Sequence, residues 1–411
     1  MSLIYNIGIH FLTFALKVAA LFNDKIKSGV SGRKNSYETL SSNIKDSDKT
    51  LWFHCSSLGE YEQGLPVFQA LRKHYNSHKI VLTFFSPSGY EIRKNSPIAD
   101  VVVYLPLDTK MNANQFLNIV NPELTVFVKY DIWPNYLKQI KKQKLKAILI
   151  SAAFKKDHVY FKPYGKPLRD ALFAFDHIFT QNEASKDLLR SINYDHVTIS
   201  GDTRFDRVYS QLAQDNSLPF IETFKDNKLC VVIGSSWPED EALLLEYINN
   251  EAPKHVKFII APHNIKPAQI NGITQKLEAP YVLFSQKDGA LLKEATVFVI
   301  DTIGILTKIY SYADIAYVGG AMGNTGLHNT LEPAVFGVPI IIGKNHKDFA
   351  EAQALMDNGG LFSISNQSEL KTVLNELIQN TEKRLKMGSA NSNFVNRNKG
   401  AVIQILNYLR I

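Results

Sequence analysis

Cysteine is scarce in this chain. Its 411 residues include two cysteines, Cys55 and Cys230, which lie far apart in strand-like runs. Two cysteines at that separation supply neither a disulfide framework nor the ligand spacing of a structural zinc site. We therefore expect both thiols to be buried, and the protein to work in a reducing compartment.

Two common nucleotide-binding signatures are also missing. The sequence contains neither the Walker spacing nor G-x-G-x-x-G, which argues against an ATPase and against a nicotinamide-dependent enzyme. Lysine and arginine are dispersed and no nucleic-acid-binding module is recognisable. The formal net charge of +7 therefore does not predict a nucleic-acid partner. A basic surface of this kind favours phosphorylated small molecules or an anionic membrane.

The amino terminus lacks the uniformly apolar run of a membrane-spanning helix. Apolar residues recur there at helical spacing from Ile4 to Phe22. Polar residues recur on the opposite side of the same helix: Asn6, His10, Thr13 and Lys17. Together with the basic residues that follow, this pattern predicts that residues 1–25 form an amphipathic helix on an anionic membrane surface. A true span and a helix that packs on its own protein are the alternatives.

Two series of apolar runs make up most of the chain. The apolar content of 45% with 21% charged residues is typical of a folded protein, and the length favours two domains. Continuous Val, Ile and Phe runs predict strands buried on both faces, and therefore parallel sheets. The first series is Leu51–Cys55, Ile80–Phe85, Val101–Leu105, Leu124–Val128, Ala147–Ile150, His177–Thr180 and Val197–Ser200. The second is Leu229–Ile233, Phe258–Ala261, Tyr281–Phe284, Thr296–Ile300, Ile315–Val318 and Pro339–Ile342.

A polar stretch separates the two series. Residues 209–227 contain Pro219 and few apolar residues, which predicts a linker. We therefore predict an amino-terminal α/β domain over residues 26–208 and a carboxyl-terminal one over residues 228–390. The carboxyl-terminal segment, residues 391–411, is expected to hold a helix from Ala401 to Ile411 that packs back on either half. Two similar halves joined by one linker predict a ligand cleft between them.

Glu60 is the most informative single residue. It follows an apolar run that ends at Cys55 and the small residues Ser56 and Ser57, and a helical pattern begins at Tyr61. Glu60 is therefore expected at the carboxyl end of an early parallel strand, where open α/β sheets bind ligands. A carboxylate there can act as a general base. It can also be an ordinary first-turn acid that complements the helix dipole.

A glycine-rich motif between Gly319 and Pro333 follows a strand that ends at Val318. Glycines let a backbone approach a ligand closely, and free amides where a helix begins near His328 attract phosphate. Glu332 lies in the first turns of that helix, where a carboxylate can bind the vicinal hydroxyls of a ribose. A glycine-rich connection that binds nothing is the alternative.

Other strand ends supply further candidates. In the second half, Ile303 and Gly304 offer backbone amides after one strand, and Pro262-His263 follows another. A plain turn and a structural histidine are the alternatives there. In the first half, the segment from Lys129 to Asn135 ends one strand and starts a helix at a proline. Arg204 follows another strand, and its guanidinium can stabilise the charge of a phosphate through two hydrogen bonds. A salt bridge to Asp202 or Asp206 is the alternative.

Taken together, these segments resemble the Kdo transferase family, the 3-deoxy-D-manno-octulosonic acid transferases of lipopolysaccharide assembly. The family's H-A-V-S-V-G-E block corresponds to residues 54–60. Its G-G-H-N-x-L-E-P-A-x-F-G-x-P block corresponds to residues 326–339. The second block is long and ordered, and the similarity extends over nearly the whole chain.

The resemblance implies a GT-B fold, in which two Rossmann-like domains with parallel sheets face a central cleft. It implies an inverting, metal-independent transferase without a cofactor, which uses CMP-Kdo and a phosphorylated lipid A precursor at the cytoplasmic face of the inner membrane. Glu60 would be the general base, with Lys129, Asp131 and Arg204 at the family's other catalytic positions. The implied CMP contacts are Pro262, His263, Ile303, Gly304, Ile305, Asn329, Thr330, Leu331 and Glu332.

Several residues depart from the family pattern. His263 stands where the family has arginine, and Ile305 stands where it has glutamate. Lys129 replaces a family glutamate and reverses its charge, for which Asp131 is a candidate compensation. Arg204 replaces a lysine and keeps the charge. Because of these changes, two alternative functions stay open. One is another GT-B enzyme, a nucleotide-sugar transferase or an epimerase of that fold. The other is a protein that binds the membrane surface without catalysing a reaction.

Overall fold

The computed structural model describes residues 2–411 of the chain. Met1 of the predicted amino-terminal helix lies outside the described residues, as do the side chains of Ile4 and Lys25. The chain forms two compact units. Unit 1 comprises residues 1–207 and 399–411, and unit 2 comprises residues 208–398.

Unit 1 is built on a seven-stranded parallel sheet, as the continuous apolar runs predicted. Its strands are β1 Thr50–Cys55, β2 Lys79–Phe84, β3 Val101–Tyr104, β4 Pro122–Val128, β5 Ala147–Ala152, β6 His177–Thr180 and β7 Val197–Ile199. Their order in the sheet is β3-β2-β1-β4-β5-β6-β7. Neighbouring residues Trp52 and Phe53 are both fully buried, in apolar layers on opposite faces of the sheet. Burial on both faces explains why these strands read as unbroken apolar runs.

Helices cover both faces of this sheet. They are α1 Ser2–Ala19, α2 Asp24–Lys34, α3 Ser36–Asn43, α4 Leu58–His74, α5 Pro87–Arg93, α6 Lys110–Val120, α7 Pro134–Gln143, α8 Lys166–Leu172, α9 Glu183–Arg190 and α10 Thr203–Ser210. Among residues 2–411, no helix combines the length and the apolar content needed to cross a membrane.

Unit 2 repeats the architecture of unit 1 with a second seven-stranded parallel sheet. Its strands are β8 Leu229–Ser236, β9 Val256–Pro262, β10 Tyr281–Leu283, β11 Val297–Val299, β12 Ile315–Val318, β13 Ile340–Gly343 and β14 Leu361–Ile364. Their order is β10-β11-β9-β8-β12-β13-β14. Its helices are α11 Pro219–Lys225, α12 Pro238–Asn250, α13 Pro267–Thr274, α14 Leu306–Ile309, α15 Leu331–Val335, α16 Ala350–Asp357, α17 Gln367–Gln379 and α18 Thr381–Asn398.

Three segments differ from what the sequence suggested. The predicted linker, residues 209–227, contains α11, whose Ile221 and Phe224 are fully buried in the core of unit 2. The helix expected from Ala401 to Ile411 is confirmed as α19 Ala401–Leu409, but the predicted carboxyl-terminal segment, residues 391–411, begins within α18, which ends at Asn398. The aspartate at 206 accepts hydrogen bonds from the amides of Gly400 and Ala401 and so fixes α19 to unit 1. Strand β14 was not predicted.

The strand order of each sheet reverses once. In unit 1, β1 pairs with β4, although two strands separate them in sequence. In unit 2, β8 pairs with β12 in the same way. Because ligands of open α/β sheets bind beyond the carboxyl ends of the strands at such a reversal, the loops after β1, β4, β8 and β12 are where functional groups are expected.

Candidate active site

Glu60 lies in the first turn of α4, directly after β1. The hydroxyl of Ser57 accepts the amide of Glu60, and a Glu60 carboxylate oxygen, Oε2, accepts the amides of Ser56 and Ser57. This reciprocal pair is a capping box. The first-turn role left open by the sequence is therefore present, but it occupies one carboxylate oxygen. Within residues 2–411, Oε1 accepts no hydrogen bond.

The environment of Glu60 makes it a stronger base than an ordinary glutamate. Its side chain is only 9% exposed. Burial, with the nearby charge of Asp131, raises the pKa of Glu60 to about 7, although His54, the Ser56 amide and Lys129 oppose the shift. A carboxylate with a pKa near neutral is suited to accept a proton under physiological conditions. The structure thus brings Asp131 and Lys129 close enough to Glu60 for their charges to act on it.

Asp131 is held by a histidine that the sequence did not single out. His54 is fully buried in β1, and its Nε2 lies 2.7 Å from Oδ2 of Asp131. Its Nδ1 lies 2.7 Å from the hydroxyl of Thr83, which also accepts a hydrogen bond from the indole of Trp52. His54 therefore lies in contact with both Asp131 and Thr83. This series of side-chain contacts holds the Asp131 carboxylate beside Glu60.

Lys129 directly follows β4 in an unusual backbone conformation. Its φ is 66°, in the left-handed region that residues with a side chain seldom adopt. The amide of Lys129 nevertheless continues the sheet by donating to the carbonyl of Ile150. This conformation turns the chain sharply between β4 and Asp131. Strain of this kind is concentrated at functional sites.

Arg204 pairs with Asp202, the local salt bridge that the sequence left open. Its Nη2 lies 2.7 Å from Oδ2 of Asp202, and its Nε donates to the same oxygen. The other oxygen of Asp202 accepts from Gln63, which lies on α4 one turn after Glu60. Arg204 is therefore connected to the helix that carries Glu60.

In unit 2, Asp240 joins the two loops at the reversal of strand order. The carboxylate is fully buried and accepts from the amides of Trp237 and Gly320 and from the hydroxyl of Tyr317. Gly320 has a φ of +97°, and a side chain there would lie 2.1 Å from the carbonyl oxygen of Gly326. The glycine-rich loop after β12 is therefore specifically shaped and anchored to the start of α12.

Three aromatic rings form a stack beside this loop. The rings of Trp237 and His263 lie 4.5 Å apart and nearly parallel, and those of His263 and His328 lie 4.6 Å apart. The indole nitrogen of Trp237 donates to Nε2 of His328 over 3.2 Å. Burial and the neighbouring His263 lower the pKa of His328 to about 4, and burial also lowers the pKa of His263. Both imidazoles are therefore neutral at pH 7.

The remaining candidate residues of unit 2 lie at the end of β9, in the loop before α14 and around the start of α15. Glu332 accepts from Asn329 and from Thr307, which follows the 303–305 segment. Ile303 is 77% exposed. Pro262 ends β9, directly before His263, and Leu331 is buried. Thr330 is buried too, and its hydroxyl has no hydrogen-bond partner within the described range.

One sequence-based expectation about this edge was wrong. The helix predicted to begin near His328 begins at Leu331 and has only five residues. Residues 328–330 instead form an irregular connection, anchored by the His328 amide donating to the carbonyl of Gly319. The segment that precedes α15 is therefore an irregular loop and not the start of a long helix.

Trp237 and Asp240 were missed by sequence reasoning, although a signal was available. In both halves a Ser-Ser pair lies at the end of the first strand, and an acid lies three positions after the helix N-cap. The N-caps of α4 and α12 are Ser57 and Trp237, and the acids are Glu60 and Asp240. Comparing the two halves would have paired these positions.

The comparison with known families agrees with this geometry. The family model described as 3-Deoxy-D-manno-octulosonic-acid transferase (kdotransferase) matches residues 30–207, the part of unit 1 that contains Glu60, Lys129, Asp131 and Arg204. Residues 30–207 are thus similar to a Kdo transferase domain. The resemblance seen in the sequence is thereby confirmed.

Relatives of the Kdo transferase domain also match the rest of the chain. The 3-deoxy-D-manno-octulosonic acid transferase of Haemophilus influenzae is 25% identical over 88% of this chain and 86% of its own length. A bifunctional glycosyltransferase/methyltransferase of Fusobacterium nucleatum is 26% identical over 82% of this chain. The chain spans 54% of the length of that bifunctional protein.

Solved structures identify the fold. UDP-GlcNAc 2-epimerase from Neisseria meningitidis is similar over 88% of this chain and 100% of its own, with a TM-score of 0.62 and 16% identity. MurG from Acinetobacter baumannii is similar over 88% and 99%, with a TM-score of 0.56 and 10% identity. This chain has two parallel seven-stranded sheets and the GT-B fold of glycosyltransferases and epimerases. The homology supports a glycosyltransferase that transfers Kdo in lipopolysaccharide biosynthesis.

Proposed function

We propose that this protein is an inverting glycosyltransferase that moves Kdo from CMP-Kdo to a phosphorylated lipid A precursor, lipid IVA. The observation that carries the proposal is Glu60. It is a buried carboxylate with its pKa raised to about 7, and it lies at the strand-order reversal of a Kdo transferase domain. Its Oε1 is available to a substrate hydroxyl while Oε2 is engaged by the backbone.

The proposed reaction is a single displacement. Glu60 accepts the proton of the acceptor hydroxyl as that oxygen forms a bond to the anomeric carbon of Kdo. The bond between that carbon and the phosphate oxygen breaks at the same time, and CMP leaves with the electron pair. One displacement inverts the anomeric centre. Lys129 and Arg204 supply positive charge near the site, and the charge of Asp131, together with burial, maintains the basicity of Glu60.

Unit 2 is the proposed donor site. Amides around Gly304 and those of Asn329 and Thr330 are candidates for the CMP phosphate, and Glu332 is a candidate for the ribose hydroxyls. The amide of Leu331 donates to the side chain of Asn329. The Trp237–His263–His328 stack lies at the same sheet edge and provides an apolar and weakly basic surface. The absence of the family arginine at 263 leaves the donor phosphate to be recognised there by histidine.

The alternative is another GT-B enzyme, a nucleotide-sugar transferase or epimerase with a different sugar. Nucleotide preference separates the two hypotheses. We expect calorimetric titration of the purified protein to show that CMP binds at least about tenfold more tightly than UDP, since uracil lacks the cytosine amino group that a CMP site is built to recognise. Tighter binding of UDP would instead favour the epimerase-like alternative and would overturn the proposed donor.

The affinity for CMP is expected to depend on pH through the histidine stack. A bound phosphate favours imidazolium, while the free site holds both histidines neutral at pH 7. Binding should therefore take up a proton, and the Kd should fall as the pH is lowered from 7.5 to 5.5, by up to about tenfold per pH unit. His263→Arg should bind more tightly at pH 7.5 and lose most of this dependence. The control, His255→Arg, adds the same charge at an exposed position before β9 and should retain the wild-type profile.

The proposed location is the cytoplasmic face of the inner membrane, with α1 lying on its surface. Ile9 is buried, but most large apolar side chains of α1 and the following turn face outward, with Phe11, Phe14 and Phe22 exposed by 72%, 65% and 84%. The polar side packs inward: Tyr5 donates to the carboxylate of Asp108, and the Asn6 side chain accepts from Asn135. Because the polar side of α1 packs inward, this orientation argues against the alternative in which α1 buries its apolar side on its own protein.

Replacing Phe11, Phe14 and Phe22 with asparagine is expected to weaken binding to vesicles of anionic phospholipid by about tenfold or more, because each phenylalanine contributes on the order of 1 kcal/mol or more at an apolar interface. Cosedimentation with vesicles measures the change. A matched variant replaces three exposed apolar residues elsewhere, Tyr164, Leu385 and Ile403, and should bind as wild type. Equal losses in the two variants would contradict the role of α1.

A further inference from the structure

A groove of about 1040 Å³ lies in unit 1 behind the polar side of α1. Helices α1, α2, α6 and α7 and the loop that precedes α6 form its walls. Its volume is at the upper end for ligand pockets. The α1 wall precedes residue 30, where the match to the Kdo transferase family begins, whereas the α2 wall lies within that match. The groove is therefore not confined to the catalytic domain that this chain shares with the family.

The charges that line the groove are of one sign. Five of its side chains are cationic: Lys17, Arg33, Lys34, Lys110 and Lys142. No aspartate or glutamate is among the described residues that line it. Within residues 2–411, none of the five cations forms an ion pair with a carboxylate. A concave surface with unpaired positive charge concentrates anions.

Arg33 shows that this charge is built into the fold. Its guanidinium donates to the backbone carbonyls of Leu105, Gly29 and Phe85 and stacks 4.5 Å from the Phe85 ring. Burial lowers the pKa of Arg33 to about 10, which still leaves it protonated at neutral pH. A partly buried cation held by dipoles, with no carboxylate partner, favours an anionic ligand nearby.

The same groove has an apolar wall. Its members come from α1, α2 and the 106–111 segment: Leu16, Val30, Pro106, Leu107 and Met111. A small hydrophilic anion would leave this wall unused. A ligand with both a phosphate and a hydrocarbon chain would match the cations and the apolar wall together.

The geometry points to a binding site for one anionic phospholipid in this groove, with its phosphate against the lysines and an acyl chain along the apolar wall. The exposed apolar side of α1 lies one helix width away, about 10 Å, so a lipid from the bilayer on which α1 rests reaches the groove over a short path. This inference rests on the proposed membrane association but not on Kdo transfer. A lipid held there would fix the orientation of unit 1 at the membrane.

Photolabelling of the full chain tests the site. The probe is phosphatidic acid with a diazirine on one acyl chain, dispersed in neutral detergent, with the matching phosphatidylcholine probe as a control for charge. We expect labelled peptides from the groove, around Leu16 and Met111. Lys110→Glu with Lys142→Glu should lower this labelling about tenfold, since each lysine near a lipid phosphate contributes on the order of a fivefold factor.

The matched control is Lys138→Glu with Lys141→Glu, two exposed residues that do not line the groove. This pair changes the charge by the same amount and should label as wild type. Met111→Glu provides a second test, because Met111 is 73% exposed and the substitution cannot disturb the core. It too should lower labelling of the groove.

Three outcomes would overturn the inference. Equal labelling by the two probes would remove the role of charge, and labels confined to Phe11, Phe14 and Phe22 would place lipid on the outer side of α1 alone. Displacement of the probe by lipid IVA at concentrations near its KM would assign the groove to the acceptor. The readout does not require sugar transfer, so the groove and the proposed enzymatic function can fail separately.

Discussion

Replacing Glu60 with glutamine is expected to lower the rate of Kdo transfer by about a hundredfold to ten-thousandfold, the usual contribution of a positioned general base. Glutamine has nearly the same shape, and its amide oxygen can still accept from the amides of Ser56 and Ser57. The helix start should therefore be retained while the basic oxygen is lost. Initial rates with saturating donor and acceptor measure the effect.

The pH dependence separates a base from a structural carboxylate. With a Glu60 pKa of about 7, the wild-type rate should rise with pH up to about 7 and then level off, because the carboxylate must be ionised to accept a proton. The residual rate of Glu60→Gln should lack this limb. Glu183→Gln is the matched control, since Glu183 is also a first-turn acid but is 60% exposed. An unchanged rate in Glu60→Gln would refute the assignment of Glu60 as the base.

Stability should change in the opposite direction to activity. The pKa of Glu60 is raised on folding from 4.5 to about 7, so the folded state binds this proton more strongly. The free energy of unfolding should therefore decline as the pH rises through this interval, by up to about 3 kcal/mol. Glu60→Gln should lack that decline and be more stable than wild type at pH 8. Denaturant unfolding at pH 5 and pH 8 measures it.

Replacing Asp131 with asparagine is expected to lower the maximal transfer rate by about tenfold and to move the acidic limb of the pH–rate profile to lower pH. Asp131 is the charge that raises the pKa of Glu60 most, after burial itself. Without it, Glu60 ionises at lower pH but becomes a weaker base. Asparagine has nearly the same shape as aspartate, so a side-chain oxygen can remain in contact with Nε2 of His54.

The direction of the shift is the discriminating result for Asp131→Asn. A merely structural role for Asp131 would lower the amount of folded enzyme and leave the inflection near pH 7 in place. Asp170→Asn is a suitable control, because Asp170 is 53% exposed and pairs only with Lys166 on α8. If the inflection of the pH–rate profile of Asp131→Asn stays at pH 7 or moves to higher pH, the proposed coupling of the two carboxylates is contradicted.

The strands could be predicted because they are buried on both faces. Thirteen of the fourteen strands were recognisable as apolar runs, whereas β14 is short, lies at a sheet edge and includes the partly exposed Phe362 and Ser363. Helix α11 was missed because its polar surface hides the spacing of Ile221 and Phe224, whose burial depends on contacts with distant strands. Local pattern alone does not reveal such contacts.

The candidate site was partly predictable for the same reason. The position of Glu60 follows from strand-to-helix order, which is local. Its partners do not, because Asp131 meets His54 only when β1 and β4 become neighbours in the sheet. Likewise, the amphipathic pattern of α1 was visible in the sequence, but the outward orientation of its apolar side depends on Tyr5 and Asn6 finding partners in α7 and the loop before α6.

The central claim is transfer of Kdo to a lipid acceptor, and it is tested by incubating the protein with CMP-Kdo, generated in situ, and tetraacylated lipid IVA. Products are resolved by mass, in parallel with Glu60→Gln. The proposal predicts lipid that has gained one or more Kdo residues in the wild-type reaction and almost none with the variant. Recovery of unmodified lipid IVA from a reaction in which the protein is folded and CMP-Kdo is intact would contradict it.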